Sequence, residues 1–553
     1  MRTLQQIIFS ALIISSVLLL ASCAKNNSEN EQGTMDDQLG EVVPSFTVLT
    51  ATSEENHTTY EVMQMLANQW DELGIDVQIE PIDFHARIDR LWMPDSRDYD
   101  AFTIGYSGRA ERLDPDMFIY AIFHSSLAEP GNSNATGLMN DEFDEYASEQ
   151  RQEMNLDKRR ELVFNAQEIL AEEIPVINLY SNTLVHAYNN KRFNELVTMA
   201  GEGVFNEWMP RQAEPLTNDK WLRIGSINDL DTLNPLGANS VFDWWHLRQI
   251  YDKLVRLDTD IEPVPAAASH WEVVDDVTVD ITLREGMVFH DDEPVTVDDV
   301  KFSFELMKEW HDGYLQAFLD PIKSVEVLDD VTVRFHLVEP YAPFITATLT
   351  QVPIMPEHIW KEFADNPHDE PNLQPIGSGP FKFDHWRRGE ELQVSKNEQF
   401  YEDIQIDGYQ YRIYGQPESL LVALEQEEID TNADRFIPAH IEQAQTFDFL
   451  NVIEVADIGF EYLGLNLREK PLDDRAFRQA LAYSIDYELI LEVYLDGYGT
   501  LGGPGLVIQP ANEFWHNEAA HQPIFDLDKA REILQEAGYQ WDEAGRLRMP
   551  LEN

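Results

Sequence analysis

A strand, a helix and a second strand follow one another early in the chain, and this unit constrains the fold more than any other feature. The short apolar run at 46–49 predicts a strand. Apolar residues then recur at helical spacing over 60–70, Gly74 ends the predicted helix, and 75–79 alternates as a second strand. A strand–helix–strand unit is typical of an α/β fold with a parallel sheet.

Further elements extend this pattern and then depart from it. Residues 162–171 have helical spacing, and 175–180 form a short apolar run that predicts a buried strand. In the middle of the chain, 276–284 and 330–337 alternate with period two, and a helix is predicted to open near 298 between them. We therefore expect an α+β insertion within an α/β protein.

The N-terminus predicts export and lipidation. A basic start at Arg2 is followed by an apolar run at 7–20 and then by small residues before Cys23, which is the pattern of a signal peptide. Cys23 is the only cysteine, so it cannot form an internal disulfide, and lipidation after cleavage would account for its presence. The alternative is an ordinary signal peptide that contains a cysteine. The apolar run is shorter than the roughly 20 residues that a membrane-spanning helix needs.

Residues 24–43 predict a tether. They are polar and acidic over 25–40 and show no apolar period. Such a composition cannot form a core, so we expect a flexible connection between a lipid anchor at Cys23 and the folded body. The expected location is the cell envelope, in the periplasm or on the outer face of the cytoplasmic membrane.

The charge of the chain excludes one class of partner. Its 101 acidic and 39 basic residues give a formal net charge of -62. Nucleic-acid binding requires lysine and arginine on one face, so we expect no nucleic-acid partner. Self-repulsion of this size favours solubility and suits a salty or alkaline habitat; a cation-binding surface is the alternative.

From Trp221 onward the chain resembles a known family. Four stretches match its motifs in its order: WLRIGSINDLDTLNPL (221–236), the hairpin and helix at 271–305, GSGPFKF (377–383) and DDRAFRQALAYSID (473–486). They are similar to the extracellular solute-binding proteins of family 5, which include the oligopeptide and dipeptide receptors of ABC importers. Asp292 stands where the family usually has a turn glycine, and aspartate tolerates left-handed backbone better than most residues.

The order of the matching pieces differs from that of the family. Residues 46–208 resemble the family's C-terminal part, yet they precede the part that resembles its beginning. This order predicts a circular permutation, with the proline-containing stretch 210–220 as the joint and with Pro44 close to Asn553 in space. The alternative is a fusion of two partial receptors that do not complete each other.

The resemblance implies a two-lobed, periplasmic-binding-protein-like α/β fold with an extra α+β subdomain, circularly permuted. Such a protein captures a small solute between its lobes and delivers it to the permease of an ABC importer. We expect peptides as ligands, a monomer, no cofactor and no metal. The implied parts are a signal peptide (1–23), the tether (24–43), lobe II (44–181 and 462–553) and lobe I (182–461), which contains the extra subdomain (263–372).

The resemblance also places ligand-binding residues in the loop 105–115. Peptide receptors of the family often carry an acidic residue there, whereas this chain has Arg109. Its planar guanidinium suits a carboxylate, so we expect an anionic group of the ligand near Arg109 and stacking on Tyr106. In the alternative, Arg109 pairs only with Glu111 or Asp114.

Aromatic residues give a second group of candidates. Aromatic faces supply contact area that tolerates different ligand side chains, although each ring could equally pack in a core. The candidates near the cleft are Phe242, Trp245, Trp386 with the neighbouring Arg387, Phe460 and Tyr462.

No enzymatic site is predicted. The stretch 290–292 contains His290 and two aspartates, but neighbours on a turn point in different directions and no second histidine stands at ligand spacing. The stretch 105–108 lacks the spacing of a nucleophile elbow. The functional alternatives are therefore a receptor for a metal chelate or an oligosaccharide, or a sensory lipoprotein.

Overall fold

A computed structural model describes residues 39–93, 98–109, 112–238, 240–311, 315–520, 522 and 524–551. The predicted signal peptide, Cys23 and most of the tether lie outside these residues, as do Glu111 and Asn553. Among the described residues, no helix is long and apolar enough to cross a bilayer.

The front segment (39–189) contains the strand–helix–strand unit that the sequence predicts. Its elements are β1 (Phe46–Thr50), α1 (His57–Asp71), β2 (Val77–Pro81), α2 (Phe84–Trp92), β3 (Ala101–Tyr106), α3 (Asp116–Phe123), α4 (Asp141–Gln152), α5 (Leu156–Glu173) and β4 (Val176–Asn189). Strand β1 pairs in parallel with both β2 and β3. Helix α1 begins at His57, and the side chain of the preceding Asn56 accepts the N–H of Thr59.

The middle segment (190–456) continues with many short elements. They are α6 (Met209–Gln212), β5 (Trp221–Ser226), α7 (Val241–Ile250), β6 (Val255–Leu257), β7 (Pro263–Pro265), β8 (Ala268–Asp275), β9 (Thr278–Leu283), α8 (Val297–Trp310), α9 (Gln316–Leu319), β10 (Ile322–Val327), β11 (Thr332–Leu337), α10 (Glu357–Trp360), β12 (Phe381–Arg387), β13 (Glu391–Lys396), β14 (Gly408–Ile413), α11 (Pro417–Glu425), β15 (Thr431–Asn432), α12 (Pro438–Ala444) and β16 (Leu450–Ala456). Strands β10, β11, β9 and β8 form a separate antiparallel sheet. Asp292 has a φ of 72°, so its turn is the left-handed one that glycine would favour.

The tail segment (457–551) completes the sheet of the front segment. It contains β17 (Phe460–Leu465), α13 (Arg475–Tyr483), α14 (Tyr487–Leu489), β18 (Gly499–Pro504), α15 (Leu527–Glu536), β19 (Gln540–Trp541) and β20 (Leu547–Arg548). Strand β17 lies between β3 and β4. The N–H of Val43 donates to Leu547 at 2.9 Å, and that of Met549 donates to Glu41 at 2.8 Å. The front and tail segments therefore share one sheet and one hydrophobic core.

Strand β4 is longer than its apolar run alone predicts. The apolar run ends near residue 180, yet the strand continues to Asn189. Its first half pairs with β17 and β18, and its second half pairs with β16. Polar side chains fit inside this strand because they have partners: Ser181 donates to Gln509 at 2.7 Å, and His186 Nδ1 lies 3.0 Å from the Asn432 carbonyl oxygen. The chain thus crosses from one half of the molecule to the other along β4.

The predicted joint at 210–220 is only partly an exposed connection. Its first residues belong to α6, and Pro210, Arg211 and Ala213 are buried. Just before it, the Glu207 carboxylate forms a buried ion pair of 3.0 Å with Lys253. The chain is mostly exposed only from residue 214 to residue 220, because the preceding residues pack into the core of the middle segment.

Candidate ligand-binding cleft

A cavity of 450 Å³ lies where the chain crosses between the two halves of the molecule. Its wall includes Ser107 after β3, His186 on β4, Phe242 on α7, Arg435 after β15 and Asp457 after β16. All three segments therefore contribute to the wall. The volume falls within the range of about 300–1,000 Å³ that is usual for small-molecule sites.

One wall of this cavity is aromatic. The rings of Phe205 and Trp245 stack with centroids 4.2 Å apart, and Phe242 lies 6.1 Å from Phe205. Helix α7 places Phe242 and Trp245, and Ser240 and Asp243 form a capping box at its first turn. Phe242 and Trp245 are thus two sequence-predicted residues that line the cavity.

Trp245 and His186 each have a buried polar atom without a hydrogen-bond partner among the described residues. The indole N–H of Trp245 and Nε2 of His186 are buried and make no hydrogen bond with any residue that the structure describes. Both residues line the cavity. Buried polar groups are almost always hydrogen-bonded in folded proteins. The two atoms are exceptions to that rule in the wall of the cavity.

Asp457 occupies the turn between the two crossing strands β16 and β17. Its backbone N–H donates to Asn182 on β4 at 3.1 Å, and its carboxylate accepts the N–H of Gly459 at 2.7 Å. Burial raises the pKa of Asp457 to about 6, and the Gly459 N–H and the charge of Arg435 oppose that rise. A Cβ at Gly108 would lie 2.3 Å from the carboxylate, so this close approach requires glycine.

Glu461 is a second acidic group beside the crossing. Burial raises its pKa to about 7, and the charges of Arg435 and Arg87 oppose that rise. Its carboxylate accepts a hydrogen bond of 3.3 Å from the Asn56 amide at the start of α1. Arg435 itself is exposed and forms no hydrogen bond or ion pair with the described residues.

Tyr106, Phe460 and Tyr462 belong to one packed aromatic cluster. The rings of Tyr106 and Tyr462 are stacked with centroids 5.8 Å apart, and Phe460 and Tyr462 are each only 3% exposed. Tyr106 lines a second cavity of 570 Å³, together with Arg112, Arg151 and residues of the middle segment. Phe460 and Tyr462 line neither cavity, because they pack among other side chains of the core.

The remaining predicted ligand residues lie outside both cavity walls. Arg109 is half-buried and follows Ser107 and Gly108, which do line the first cavity. Trp386 donates its indole N–H to Asp229 at 3.0 Å, and Arg387 pairs with Glu390 and Glu391 on the β12–β13 hairpin. The carboxylate of Asp114, the alternative partner for Arg109, is held by Arg159 at 2.6 Å.

The surroundings of His290 fit a structural role in the fold. Burial lowers its pKa to about 4, and its Nε2 lies 3.1 Å from the carbonyl oxygen of Gly379. Within the described part of the chain, no three histidine, cysteine, aspartate or glutamate side chains come together in an arrangement that could hold a metal ion.

The family model of bacterial extracellular solute-binding proteins, family 5, matches residues 23–129 and 262–553, which is most of the chain. The chain belongs to this family. The chain is also similar to curated family members. It is 31% identical to Protein XP55 of Streptomyces lividans over 58% of either chain, and 27% identical to the oligopeptide-binding protein AppA of Bacillus subtilis over 58% of this chain and 59% of AppA. Each match thus spans less than two thirds of the relative.

Two solved structures have a fold similar to that of this chain. HbpA2 from Haemophilus parasuis is 25% identical with a TM-score of 0.50, covering 57% of this chain and 66% of HbpA2. The substrate-binding protein CtaP of Listeria monocytogenes is 22% identical with a TM-score of 0.50, covering 59% of this chain and 66% of CtaP. The predicted two-lobed α/β solute-binding fold is confirmed.

The sequence of this family 5 protein did not point to the charged residues in and beside its cleft. Arg435, Asp457 and Glu461 stand in an acidic chain where charged residues are frequent, so none is conspicuous. Asp457 could have been found, because it comes two residues before Gly459, where β17 is about to start its crossing. Arg435 gives no comparable signal, since only the fold brings the loop after β15 towards β17.

Proposed function

We propose that this protein is the substrate-binding receptor of an ABC-type importer, which captures peptides or similar small solutes between its lobes and delivers them to the membrane permease. The observation that carries the proposal is the 450 Å³ cavity at the crossing strands, whose wall comes from the front, middle and tail segments. Membership of family 5, and relatives named as oligopeptide- and dipeptide-binding proteins, support it. The protein is a binding protein in this proposal, not an enzyme.

Closure of the lobes would enclose the ligand. Strand β4 and the turn at Asp457 connect the two halves side by side, so small backbone rotations there would open and close the cavity. Closure removes water and strengthens each polar contact. A ligand that contacts both halves binds the closed form more tightly, and it shifts the population towards that form.

We also propose that the chain is a circular permutant of the family. The front and tail segments share a sheet and a core. Val43 and Met549 take part in antiparallel hydrogen bonds that bring 41–43 beside 547–549. Lobe II would comprise 44–181 and 462–553, and lobe I 182–461 with the extra subdomain at 263–372. These contacts favour a permutant over a fusion of two incomplete receptors.

The membrane attachment completes the proposal. The signal-like N-terminus and Cys23 support a lipid anchor, and the acidic tether would let a monomeric receptor reach its permease. Metabolic labelling with a fatty-acid probe tests this: Cys23→Ser should abolish the label and release the protein from membranes.

Ligand screening tests the main proposal. Residues 24–553 would be purified and mixed with peptides, nickel–histidine chelate or oligosaccharides, and melting temperatures compared, because a ligand of the native state raises the melting temperature. We expect peptides to give the rise. Phe242→Ala in the cavity wall should reduce it, whereas Phe514→Ala, which is 38% exposed and outside that wall, should not. A melting temperature that rises only with the chelate or an oligosaccharide would contradict the peptide assignment. Uptake of the labelled ligand by cells would distinguish a transport receptor from a sensory one.

A further inference from the structure

We infer that closure of the lobes is coupled to proton uptake by Asp457, whose carboxyl group is covered by both lobes in the closed form and uncovered when the lobes open. This inference rests on the proposed receptor function, because it assumes a cleft that opens and closes. It adds a condition that controls closure, so that acid favours the closed form and neutral pH favours the open one.

The turn at 457–459 is packed between the two proposed lobes. On one side, a Cβ at Gly459 would lie 2.6 Å from the backbone nitrogen of Gly108, which belongs to lobe II. On the other side, a Cβ at Gly201, which belongs to lobe I, would lie 2.4 Å from Cγ1 of Ile458. The two lobes therefore meet at this turn.

The carboxylate of Asp457 lies at this contact. A Cβ at Gly108 would lie 2.3 Å from Oδ1 of Asp457 and 2.5 Å from the carbonyl oxygen of Gly201. The two glycines thus cover the carboxylate together, and a side chain at either position would have no room. Rotation of the lobes about β4 separates Gly108 from Gly201, so water reaches the carboxylate in the open form.

One cation acts on this carboxylate. Arg435, in the loop after β15, lowers the pKa of Asp457 through its charge, and no ion pair joins the two side chains. The Gly459 N–H donates to the carboxylate at 2.7 Å. The other titratable or charged side chains on the elements around the turn are those of Tyr106, Arg109, His186, Glu202, Asp434 and Glu461.

Three of these neighbours have settled charge states. Glu202 is paired with Arg248 at 3.2 Å, and Asp434 accepts the Ser226 hydroxyl at 2.7 Å. Burial lowers the pKa of His186 to about 4, so its ring is neutral above pH 5. The carboxyl group of Asp457 is therefore the one at the contact between the lobes that we expect to titrate near pH 6.

Protonation and closure favour each other because the covered carboxyl group holds its proton more tightly. Burial raises the pKa of Asp457 from 3.8 to about 6, against the effects of the Gly459 N–H and Arg435. Opening exposes the group and returns its pKa towards 3.8. The bias towards the closed form is thus fully present below pH 3.8 and is lost as the pH rises through 6. The closed-to-open ratio is then about tenfold larger at pH 5 than at pH 7.

Single-molecule energy transfer between dyes on the two lobes tests the inference without a ligand. Cys23 is the only cysteine, so Glu145→Cys on α4 and Glu425→Cys on α11 would supply the only thiols of residues 24–553. We expect the closed-to-open ratio to fall about tenfold from pH 5 to pH 7 and to change little from pH 7 to pH 8. Asp457→Asn, whose amide resembles the neutral acid, should keep the pH 5 ratio throughout.

Two further variants of the labelled chain are controls. Asp448→Asn makes the same change at an exposed position, and Glu461→Gln removes a buried acid that Asn56 and Gly105 of lobe II cover. Both should keep the wild-type dependence on pH, and melting temperatures show whether each variant is folded. A ratio that stays constant with pH, or a dependence that survives Asp457→Asn, would overturn the inference. The peptide screen decides the receptor proposal separately, because energy transfer is measured here without a ligand.

Discussion

The Thr346 hydroxyl donates a hydrogen bond of 2.8 Å to the carboxylate of Asp114 and so joins the middle segment to the front segment. Asp114 is fixed in turn by two hydrogen bonds from Arg159, and both side chains are almost fully buried. Nearby, the Arg151 guanidinium lies 5.2 Å from the ring centroid of Tyr341. These contacts cross between the two proposed lobes without passing through the crossing strands, so they would stabilise the closed form.

Thr346→Val is therefore expected to favour opening. The substitution removes a hydrogen bond to a charged acceptor, which is worth about 1.5–3 kcal/mol. We expect a larger radius of gyration by small-angle X-ray scattering without ligand, and weaker ligand binding by about tenfold. Thr348→Val is the matched control, because the Thr348 hydroxyl bonds to Phe318 within the middle segment at 2.8 Å. Equal radii for the two variants would contradict the prediction.

Glu461 should make stability depend on pH. Burial raises its pKa from 4.5 to about 7, so between these values the folded protein holds a proton that the unfolded chain releases. Its contribution is fully present below pH 4.5 and is lost as the pH rises through 7. Glu461→Gln should thus gain on the order of 3 kcal/mol relative to wild type between pH 4.5 and pH 8. Denaturant titrations across this range measure the difference.

The control for this prediction is Glu454→Gln on the exposed side of β16. Its free energy of unfolding should follow that of wild type at every pH. A difference between Glu461→Gln and wild type that stays constant from pH 4.5 to pH 8 would show that Glu461 does not titrate in this window.

Loss of the Lys253–Glu207 ion pair should lower the free energy of unfolding markedly. Both side chains are buried, at 5% and 4% exposure, so Lys253→Met would leave the Glu207 carboxylate buried without its partner. Such a loss costs about 3–5 kcal/mol. Lys361→Met removes a pair whose lysine is 72% exposed, and exposed pairs contribute about 0–1 kcal/mol. Comparable denaturation midpoints for the two variants would contradict this, and Lys253→Met with Glu207→Gln should recover part of the loss.

The sequence predicts the local elements of this protein better than its cleft. The pattern at 46–79 yields β1, α1 and β2 because periodicity reports which face is buried. The apolar run alone does not predict the second half of β4, because Ser181 and His186 are polar, and only long-range partners such as Gln509 make them compatible with a buried strand. Arg435 and Asp457 are missed for the same reason, since tertiary contacts alone bring them to one cavity.

Segment order provides the last prediction. A gene that encodes residues 218–551 followed directly by 39–217 would restore the motif order of the family. Because Met549 donates to Glu41, the new junction would be a hairpin loop of residues 550, 551, 39 and 40. The new ends would lie in the exposed stretch after Ala213. Changes in loop length cost little, so we expect the free energy of unfolding to change by less than about 1 kcal/mol.

A second rearrangement shows whether the position of the break matters. Opening the chain between Leu222 and Arg223 interrupts β5, which pairs with β14 on one side and β15 on the other. That chain should lose its cooperative unfolding transition, because the break removes hydrogen bonds from the interior of the sheet. If the first rearranged chain also failed to fold, the front and tail segments would not form the single lobe that a permutant requires, and the fusion alternative would be favoured.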